Sequence, residues 1–157
     1  MTITVRAALP GDVASLVELR LANARAHVEL DPASFRVPVA DAVRRYFEHL
    51  LDGSTVLILV AEVDGEVAGM TEIVPVPLPP EHQILIAEPT ADVHTVVLER
   101  FRGQGIGRIL VEEAERAART WGVKALNAVI LTRNRDALRF YDSAGYGPRG
   151  TLLRKEL

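Results

Sequence analysis

The pattern of apolar and polar positions in the first half of the chain predicts three strands and two helices. Residues 2–7 alternate as a strand does, and apolar side chains recur at helical spacing over residues 13–28 and again over residues 39–51. The β-rich runs VLILVAEV and VAGMTEIVPV flank the sequence DGE at residues 64–66, which is typical of a β-hairpin turn. We therefore expect this half to fold in the order β-α-α-β-β.

The second half of the chain alternates strands and helices. Strands are predicted over residues 92–98, over ALNAVIL and over residues 152–156. One helix is predicted directly after a glycine-rich turn, and a second helix over residues 134–144. Trp121, at the end of the first of these helices, is expected in the core. The complete order predicts a single α/β domain of the α+β type over residues 1–157, with a mixed, mostly antiparallel central sheet flanked by about four helices.

Composition and charge narrow the classes of function. The 157 residues carry a net charge of −3, which gives no reason to expect nucleic acid as a partner. Cysteine is absent, which excludes disulfides and thiolate metal sites, and the scattered histidines lack metal-ligand spacing, so no metal is expected. No apolar run approaches the ~18 residues of a membrane span, and the N-terminal sequence does not resemble a signal peptide. We expect a cytoplasmic protein with no membrane partner.

The sequence RGQGIG, residues 102–107, places three glycines between a predicted strand and a predicted helix. A helix N-terminus exposes unpaired N–H groups with partial positive charge, and glycines let a ligand reach them. Arg102 and Arg108 add positive charge beside this turn. The pattern predicts a phosphate or pyrophosphate site, and a tight turn without a ligand is the alternative. The spacing matches neither the dinucleotide-binding fingerprint nor the P-loop.

A second stretch, NRDALRFYDSAGY at residues 134–146, strengthens this prediction. Together the two stretches resemble the GCN5-related N-acetyltransferase (GNAT) family. The family pattern Q/R-x-x-G-x-G/A corresponds here to Arg102, Gly105 and Gly107. Its downstream pattern N-x-x-A-x-x-F-Y-x-x-x-G-F/Y corresponds to Asn134, Ala137, Phe140, Tyr141, Gly145 and Tyr146. The resemblance implies the GNAT fold, in which two splayed parallel strands form a cleft for the cosubstrate acetyl-CoA.

The resemblance also implies which residues bind acetyl-CoA. Backbone N–H groups of the glycine turn would hold the pyrophosphate, and the strand before the turn would pair its backbone with the amides of the pantetheine arm. Asn134 would hydrogen-bond this arm, and it is equally compatible with a plain helix N-cap. The implied binding residues are Thr95, Val96, Val97, Arg102, Gly103, Gln104, Gly105, Ile106, Gly107, Arg108, Asn134 and Tyr141.

The resemblance assigns catalytic roles less completely. Tyr141 matches the family's general acid, because a phenol with an ordinary pKa of about 10 keeps its proton at pH 7 and can protonate the departing thiolate. The alternative for Tyr141 is a half-buried aromatic residue on a helix face. The base that removes the amine proton is left open among Asp92, His94, Glu72 and a water relay. Asp92 and His94 share one face of the predicted strand, whereas several relatives place the base on the other face.

The implied activity is an acyl-CoA-dependent N-acyltransferase that moves an acetyl group from acetyl-CoA to a primary amine. With no cysteine to carry the acyl group, direct attack of the amine in a ternary complex is the simpler mechanism. The acceptor would be a small molecule or a peptide, bound partly by residues 26–38 and 75–90. An acyl-CoA-binding sensor or scaffold without turnover is one alternative, and a binder of another phosphorylated ligand is a second. Homodimers are common in this family, so a homodimer is also considered.

Overall fold

A five-stranded sheet forms the centre of the fold. The computed structural model describes residues 1–157. The strands lie side by side in chain order; successive neighbours are antiparallel except for the last pair, which is parallel. They are β1 (Ile3–Ala7), β2 (Leu57–Val63), β3 (Glu66–Pro75), β4 (Thr90–Val97) and β5 (Ala125–Asn127). The mixed, mostly antiparallel sheet predicted from the sequence is confirmed.

Four helices cover the two faces of the sheet. They are α1 (Val13–Leu30), α2 (Ala40–Leu51), α3 (Ile106–Thr120) and α4 (Arg135–Ser143). Leu16 of α1 and Phe47 of α2 are fully buried against one face together with Val60 and Met70 of the sheet. Helices α3 and α4 pack against the other face, so that the sheet is a middle layer with a core on each side. None of the helices is both long and apolar enough to cross a bilayer.

Side-chain alternation along β4 divides its residues between these two cores. Val96 is buried against α1 and α2, and Asp92 and His94 share its face because successive side chains of a strand point to opposite sides. Val93 is buried against α3 and α4, and Thr95 shares that face. The candidate site residues of β4 therefore lie on opposite sides of the sheet.

The hairpin between β2 and β3 forms as predicted. Asp64 and Gly65 both have positive φ, at 50° and 85°, which is the combination that a two-residue type I′ turn requires. The paired strands contain a bulge between Ala61 and Glu62. Local sequence is sufficient here because the turn residues and the flanking β-rich runs favour the same structure.

The predicted C-terminal strand is wrong. Residues 152–156 form no strand, and ALNAVIL contributes only Ala125–Asn127. A strand needs a neighbour to satisfy its backbone N–H and C=O groups, and β5 pairs with β4 alone. Leu152 and Leu153 are 92% and 86% exposed, so neither side chain packs against the sheet.

Trp121 also departs from the prediction, since it is 45% exposed rather than in the core. It caps α3 directly after Thr120, the last helical residue, so its side chain lies at the end of the helix. Gly122 follows with φ of 76° and ends the helix, as its sequence position predicts. Helical periodicity does not by itself decide whether the last turn still faces the sheet.

Candidate active site

The turn that opens α3 presents a run of backbone donors without protein acceptors. The N–H of Arg102 donates to the carbonyl of Glu99 at 3.1 Å, and that of Ile109 donates to the carbonyl of Gly105 at 3.2 Å. The N–H groups of the six residues between them, 103–108, form no hydrogen bond with the protein. Such an array at a helix N-terminus is suited to a phosphate or pyrophosphate, because the donors and the helix dipole both favour an anion.

The three glycines of the turn serve two different purposes. Gly103 and Gly105 have φ of 77° and 81°, a left-handed conformation that other residues rarely adopt, and a Cβ on either would meet no atom within 4 Å. A Cβ on Gly107 would instead lie 3.2 Å from the ring of Phe140. Gly103 and Gly105 therefore shape the turn, whereas Gly107 allows α3 to approach α4 closely.

The two arginines of the turn are exposed and partly engaged by other groups. The Nε of Arg102 donates to the backbone carbonyl of Val97 at 3.2 Å. The Nε of Arg108 donates to Glu112 Oε1 at 3.1 Å, one helical turn further on. Glu112 offsets part of the positive charge that the sequence suggests, so the backbone donors are the stronger feature. Ile106 is buried in the core and offers a ligand its backbone alone, while Gln104 is exposed.

Strand β4 has an open edge beside this turn. Its pairing with β5 ends where Asp92 meets Asn127, and residues 93–97 continue without a neighbour on that side. The N–H of Leu98, just after β4, donates to the carbonyl of Ala68 in β3, and the carbonyl of Thr90 accepts from the N–H of Val76, just after β3. The even-numbered residues of β4 therefore direct their backbone groups towards β3.

The odd-numbered residues of β4 consequently face the open edge. Thr95 presents its backbone N–H and C=O groups there, and Val97 presents its N–H, while the Val97 carbonyl accepts from the exposed Arg102 side chain. An extended ligand can pair with groups in this arrangement. The backbone groups of Val96 point to β3 instead, and its side chain is buried against α1 and α2. Within residues 95–97, the structure therefore offers two residues for backbone pairing rather than three.

Tyr141 lies against the same part of β4, on the α3/α4 side. The residue is 8% exposed, and its ring packs edge-on against Phe140 and Tyr146 with ring centroids 5.0 and 5.1 Å apart. Burial raises the pKa of the Tyr141 phenol above its ordinary value, an effect that hydrogen bonding to Thr95 opposes. Thr95 Oγ1 in turn lies 3.0 Å from Thr71 Oγ1. The phenol is thus protonated at neutral pH, and Thr95, which affects its pKa, faces the open edge.

Asn134 caps α4. Its Oδ1 accepts a hydrogen bond from the backbone N–H of Ala137 at 3.1 Å, which is the plain N-cap role considered from the sequence. Its Nδ2 group forms no hydrogen bond with the protein, so its N–H donors are free for a ligand. Capping and ligand binding are therefore compatible in this residue.

A charged cluster lies on the other side of the sheet, between the strands and α1 and α2. Glu72 is 3% exposed and pairs with the guanidinium of Arg20. That guanidinium lies over the rings of Tyr46 and Phe47, 5.4 and 5.2 Å from their centroids. Burial, and to a lesser extent the Glu72 carboxylate, raise the pKa of Tyr46. We call these four residues the Arg20 cluster.

Sequence reasoning missed the Arg20 cluster, although it named Glu72. The available signal was a carboxylate in the middle of an apolar strand, which has to find a cation when the strand is buried on both faces. The sequence could not identify the partner, because Arg20 is 52 residues away and is one of several arginines on α1 and α2.

Asp92 and His94 differ from Glu72 because neither forms a salt bridge or a side-chain hydrogen bond. Asp92 is half-buried and His94 is exposed. His94 is the cross-strand neighbour of Glu72, and it lies two residues beyond Asp92, where pairing with β5 ends. The three side chains considered as the catalytic base, Glu72, Asp92 and His94, therefore lie together on the α1/α2 side, across the sheet from Tyr141.

A cavity of about 1030 Å³ lies elsewhere. It is lined by residues 76–90, by β5, by the second half of α3 and by the turn after α4, and it contains no residue of the glycine turn. The hydroxyl of Tyr146 on its wall has no hydrogen-bond partner, and burial raises the pKa of Tyr146 to about 12. No group of three or more His, Cys, Asp or Glu residues is arranged to hold a metal ion.

Comparisons with known proteins agree with this geometry. The model of the acetyltransferase (GNAT) family matches residues 24–146. YwnH of Bacillus subtilis, provisionally named a phosphinothricin acetyltransferase, is 34% identical over 61 residues, which is 39% of this chain and 37% of that protein.

Solved structures extend the likeness to the whole chain. A mutant of the BH1408 protein from Bacillus halodurans superposes with a TM-score of 0.85 at 23% identity, covering 98% of this chain and 99% of the other. A protein from Clostridium acetobutylicum, named as a predicted acetyltransferase and solved with acetyl-CoA, has a TM-score of 0.73 at 17% identity, covering 99% of this chain and 96% of the other. The order of elements, the parallel β4–β5 pair and the family match confirm what the two sequence motifs predicted: this chain belongs to the GNAT acetyltransferase family.

Proposed function

We propose that this chain is an N-acetyltransferase that moves an acetyl group from acetyl-CoA to a primary amine, with residues 1–157 acting as one catalytic domain. One observation carries the proposal: the six unpaired N–H groups at the start of α3 lie beside the open edge of β4. The pyrophosphate would occupy these N–H groups and the pantetheine arm would pair with Thr95 and Val97. A cytoplasmic location and a homodimer stay predictions.

Binding in this position would direct the thioester to the gap past the end of β5. Arg102 and Arg108, both exposed, would add charge near the phosphates, and the free Nδ2 of Asn134 would donate to a carbonyl of the arm. Tyr141 would face the sulfur from the α3/α4 side. The acceptor would approach from the α1/α2 side, where Asp92 and His94 lie. The acceptor would thus meet the thioester at the open edge of β4, opposite Tyr141.

The chemical step follows from this arrangement. The amine nitrogen attacks the thioester carbonyl carbon, the C–S bond breaks, and the thiolate takes a proton from Tyr141. The backbone N–H of Val97 on the open edge is a suitable donor to the developing oxyanion. Most of the rate acceleration would come from positioning the two substrates, since no covalent intermediate is needed.

We propose His94 as the group that takes the proton of the amine, directly or through water. Glu72 is a poor candidate because it is buried and already paired with Arg20. Asp92 lies where β4 is still covered by β5, whereas His94 is exposed on the uncovered part of the strand. Imidazole is also the side chain best matched to proton transfer near neutral pH.

Substituting asparagine for His94 is expected to lower kcat/KM for the amine about 100-fold, the usual loss of a general base, with little change in acetyl-CoA affinity. Steady-state kinetics together with a coenzyme titration measure both effects. His49→Asn is the matched control, because His49 is exposed on α2, away from β4. Full activity in His94→Asn combined with loss in Asp92→Asn would transfer the role to Asp92.

The proposed function itself is tested by thiol release from acetyl-CoA with a panel of primary amines, beside a titration of acetyl-CoA binding without acceptor. We expect amine-dependent thiol release and an acetylated product by mass. Tight binding with no amine-dependent release would favour the acyl-CoA sensor or scaffold. Failure to bind acetyl-CoA at all would favour the remaining alternative, another phosphorylated ligand at the glycine turn.

A further inference from the structure

The Arg20 cluster lies next to the place where the acceptor would react. Glu72 and His94 are directly opposed on β3 and β4, so their Cβ atoms are separated by about 4.5–5.5 Å and they share one face of the sheet. His94 belongs to the uncovered part of β4. Arg20, held by Glu72, is therefore one strand away from the open edge, on the side from which the amine would come.

The guanidinium of Arg20 has donors to spare. Its Nη2 donates to Glu72 Oε1, while its Nε and Nη1 form no hydrogen bond with the protein, and 31% of the side chain is exposed. Its position over the rings of Tyr46 and Phe47 is favoured by cation–π attraction. A guanidinium stays charged at any physiological pH, and its planar set of N–H donors matches a carboxylate, phosphinate or phosphate.

The charges nearby are arranged in two parts. Glu72 offsets the single charge of Arg20 but uses only part of its N–H donors, whereas Asp92 has no cation partner and lies on the same face of the sheet. A cationic amine would be attracted towards the unpaired carboxylate of Asp92, and an anionic group would find N–H donors on Arg20. A small zwitterion fits this pattern better than a simple alkylamine or a polycation does.

We propose that Arg20 binds an anionic group of the acceptor, so that the substrate class is a primary amine carrying a carboxylate or a related oxyanion a few bonds from the nitrogen, as in an amino acid. The proposal rests on the acetyltransferase function proposed above and adds the substrate class to it. Glu72 is a positioning residue in this scheme: it orients Arg20 and takes no part in proton transfer.

The test compares acceptors that differ only in the anionic group. L-methionine and L-glutamine are each assayed beside their α-amides, and kcat/KM for the acid is divided by kcat/KM for the amide. This acid-over-amide ratio is then compared between wild type and variants. The comparison cancels the difference in basicity between the two amines, because that difference is the same for every protein. Arg20→Lys keeps a cation beside Glu72 but lacks the planar donors. The double variant Arg20→Met/Glu72→Met removes both charges without stranding a buried carboxylate.

We expect the acid-over-amide ratio to fall at least about tenfold in the double variant and by a smaller factor in Arg20→Lys, as loss of a charge-assisted hydrogen bond predicts. Arg45→Met is the control, because Arg45 is exposed and pairs with Asp41 within α2; its ratio should not change. Thermal melts establish that each variant is folded. An unchanged ratio in folded variants would show that Arg20 only ties α1 to β3, and would overturn the proposal.

The two proposals can fail separately. Acetylation of amines with an unaltered acid-over-amide ratio would refute the role of Arg20 and leave the acetyltransferase function standing. Absence of acetylation with every amine would refute the function. Calorimetric binding of L-methionine to the wild type and to the double variant then tests Arg20: weaker binding to the variant supports the anion site, and equal or no binding to either overturns it.

Discussion

Replacing Tyr141 with phenylalanine is expected to lower kcat about 100-fold, while the affinity for acetyl-CoA changes by less than about threefold. The substitution removes the proton that would pass to the thiolate, and loss of a general acid typically costs a factor of this size. The ring stays in place, since it packs against Phe140 and Tyr146. Single-turnover kinetics separate this chemical effect from product release.

Tyr146→Phe is the matched control for Tyr141→Phe. The Tyr146 hydroxyl is buried without a partner, so its removal should cost no hydrogen bond and leave turnover as in the wild type. Equal losses in the two variants would mean that the aromatic cluster as a whole, rather than the Tyr141 proton, matters for activity.

The pH profile gives a second readout for Tyr141. A general acid works while protonated, and burial raises the pKa of Tyr141 above the ordinary value of about 10 for a phenol. Activity due to this group is therefore present at neutral pH and lost only above about pH 10. An alkaline loss of kcat near pH 8 that is absent from Tyr141→Phe would contradict the raised pKa of Tyr141.

Substituting valine for Gly105 is expected to weaken acetyl-CoA binding at least about 100-fold. Gly105 has φ of 81°, and a left-handed conformation costs a residue with a side chain about 1–2 kcal/mol, more for a β-branched one. Relaxation to negative φ would turn neighbouring N–H groups away from the phosphates. Hydrogen bonds to charged groups contribute about 1.5–3 kcal/mol each, so loss of two suffices for this change in Kd.

Gly122→Val separates ligand binding from backbone strain. Gly122 has φ of 76°, has open space around it and lies at the other end of the same helix. Both variants should lose a similar amount of stability in denaturant melts, but only Gly105→Val should lose coenzyme affinity in a direct titration. Wild-type affinity in Gly105→Val would refute the assignment of the pyrophosphate to this turn.

Several features followed from local sequence. The hairpin forms at Asp64 and Gly65 because both residues tolerate positive φ, and α4 begins at Asn134 because its side chain caps the helix. The glycine turn was predicted as an anion site from residues 102–107 alone, and the structure gives this turn six unpaired N–H groups. In each case the decisive interactions lie within a few residues of one another, where composition and spacing are informative.

Other features depended on contacts between distant segments. The pairing of Arg20 with Glu72, the facing of Glu72 and His94 and the early end of β5 all join residues far apart in sequence. No pattern along the chain specifies which arginine meets a buried carboxylate, or whether a strand finds a neighbour. This is why residues 152–156 were wrongly predicted as a strand and why the Arg20 cluster was missed.

The sequence by itself determined the family, the order of elements up to α4 and the position of the glycine turn, because motifs and periodicity are properties of neighbouring residues. Only the tertiary structure decided that Tyr141 and His94 lie on opposite sides of the sheet, that Gly107 allows α3 to pack closely against Phe140, and that Glu72 forms a salt bridge with Arg20. Those outcomes are set by strand register and by the burial of charge, which exist only once the layers have packed.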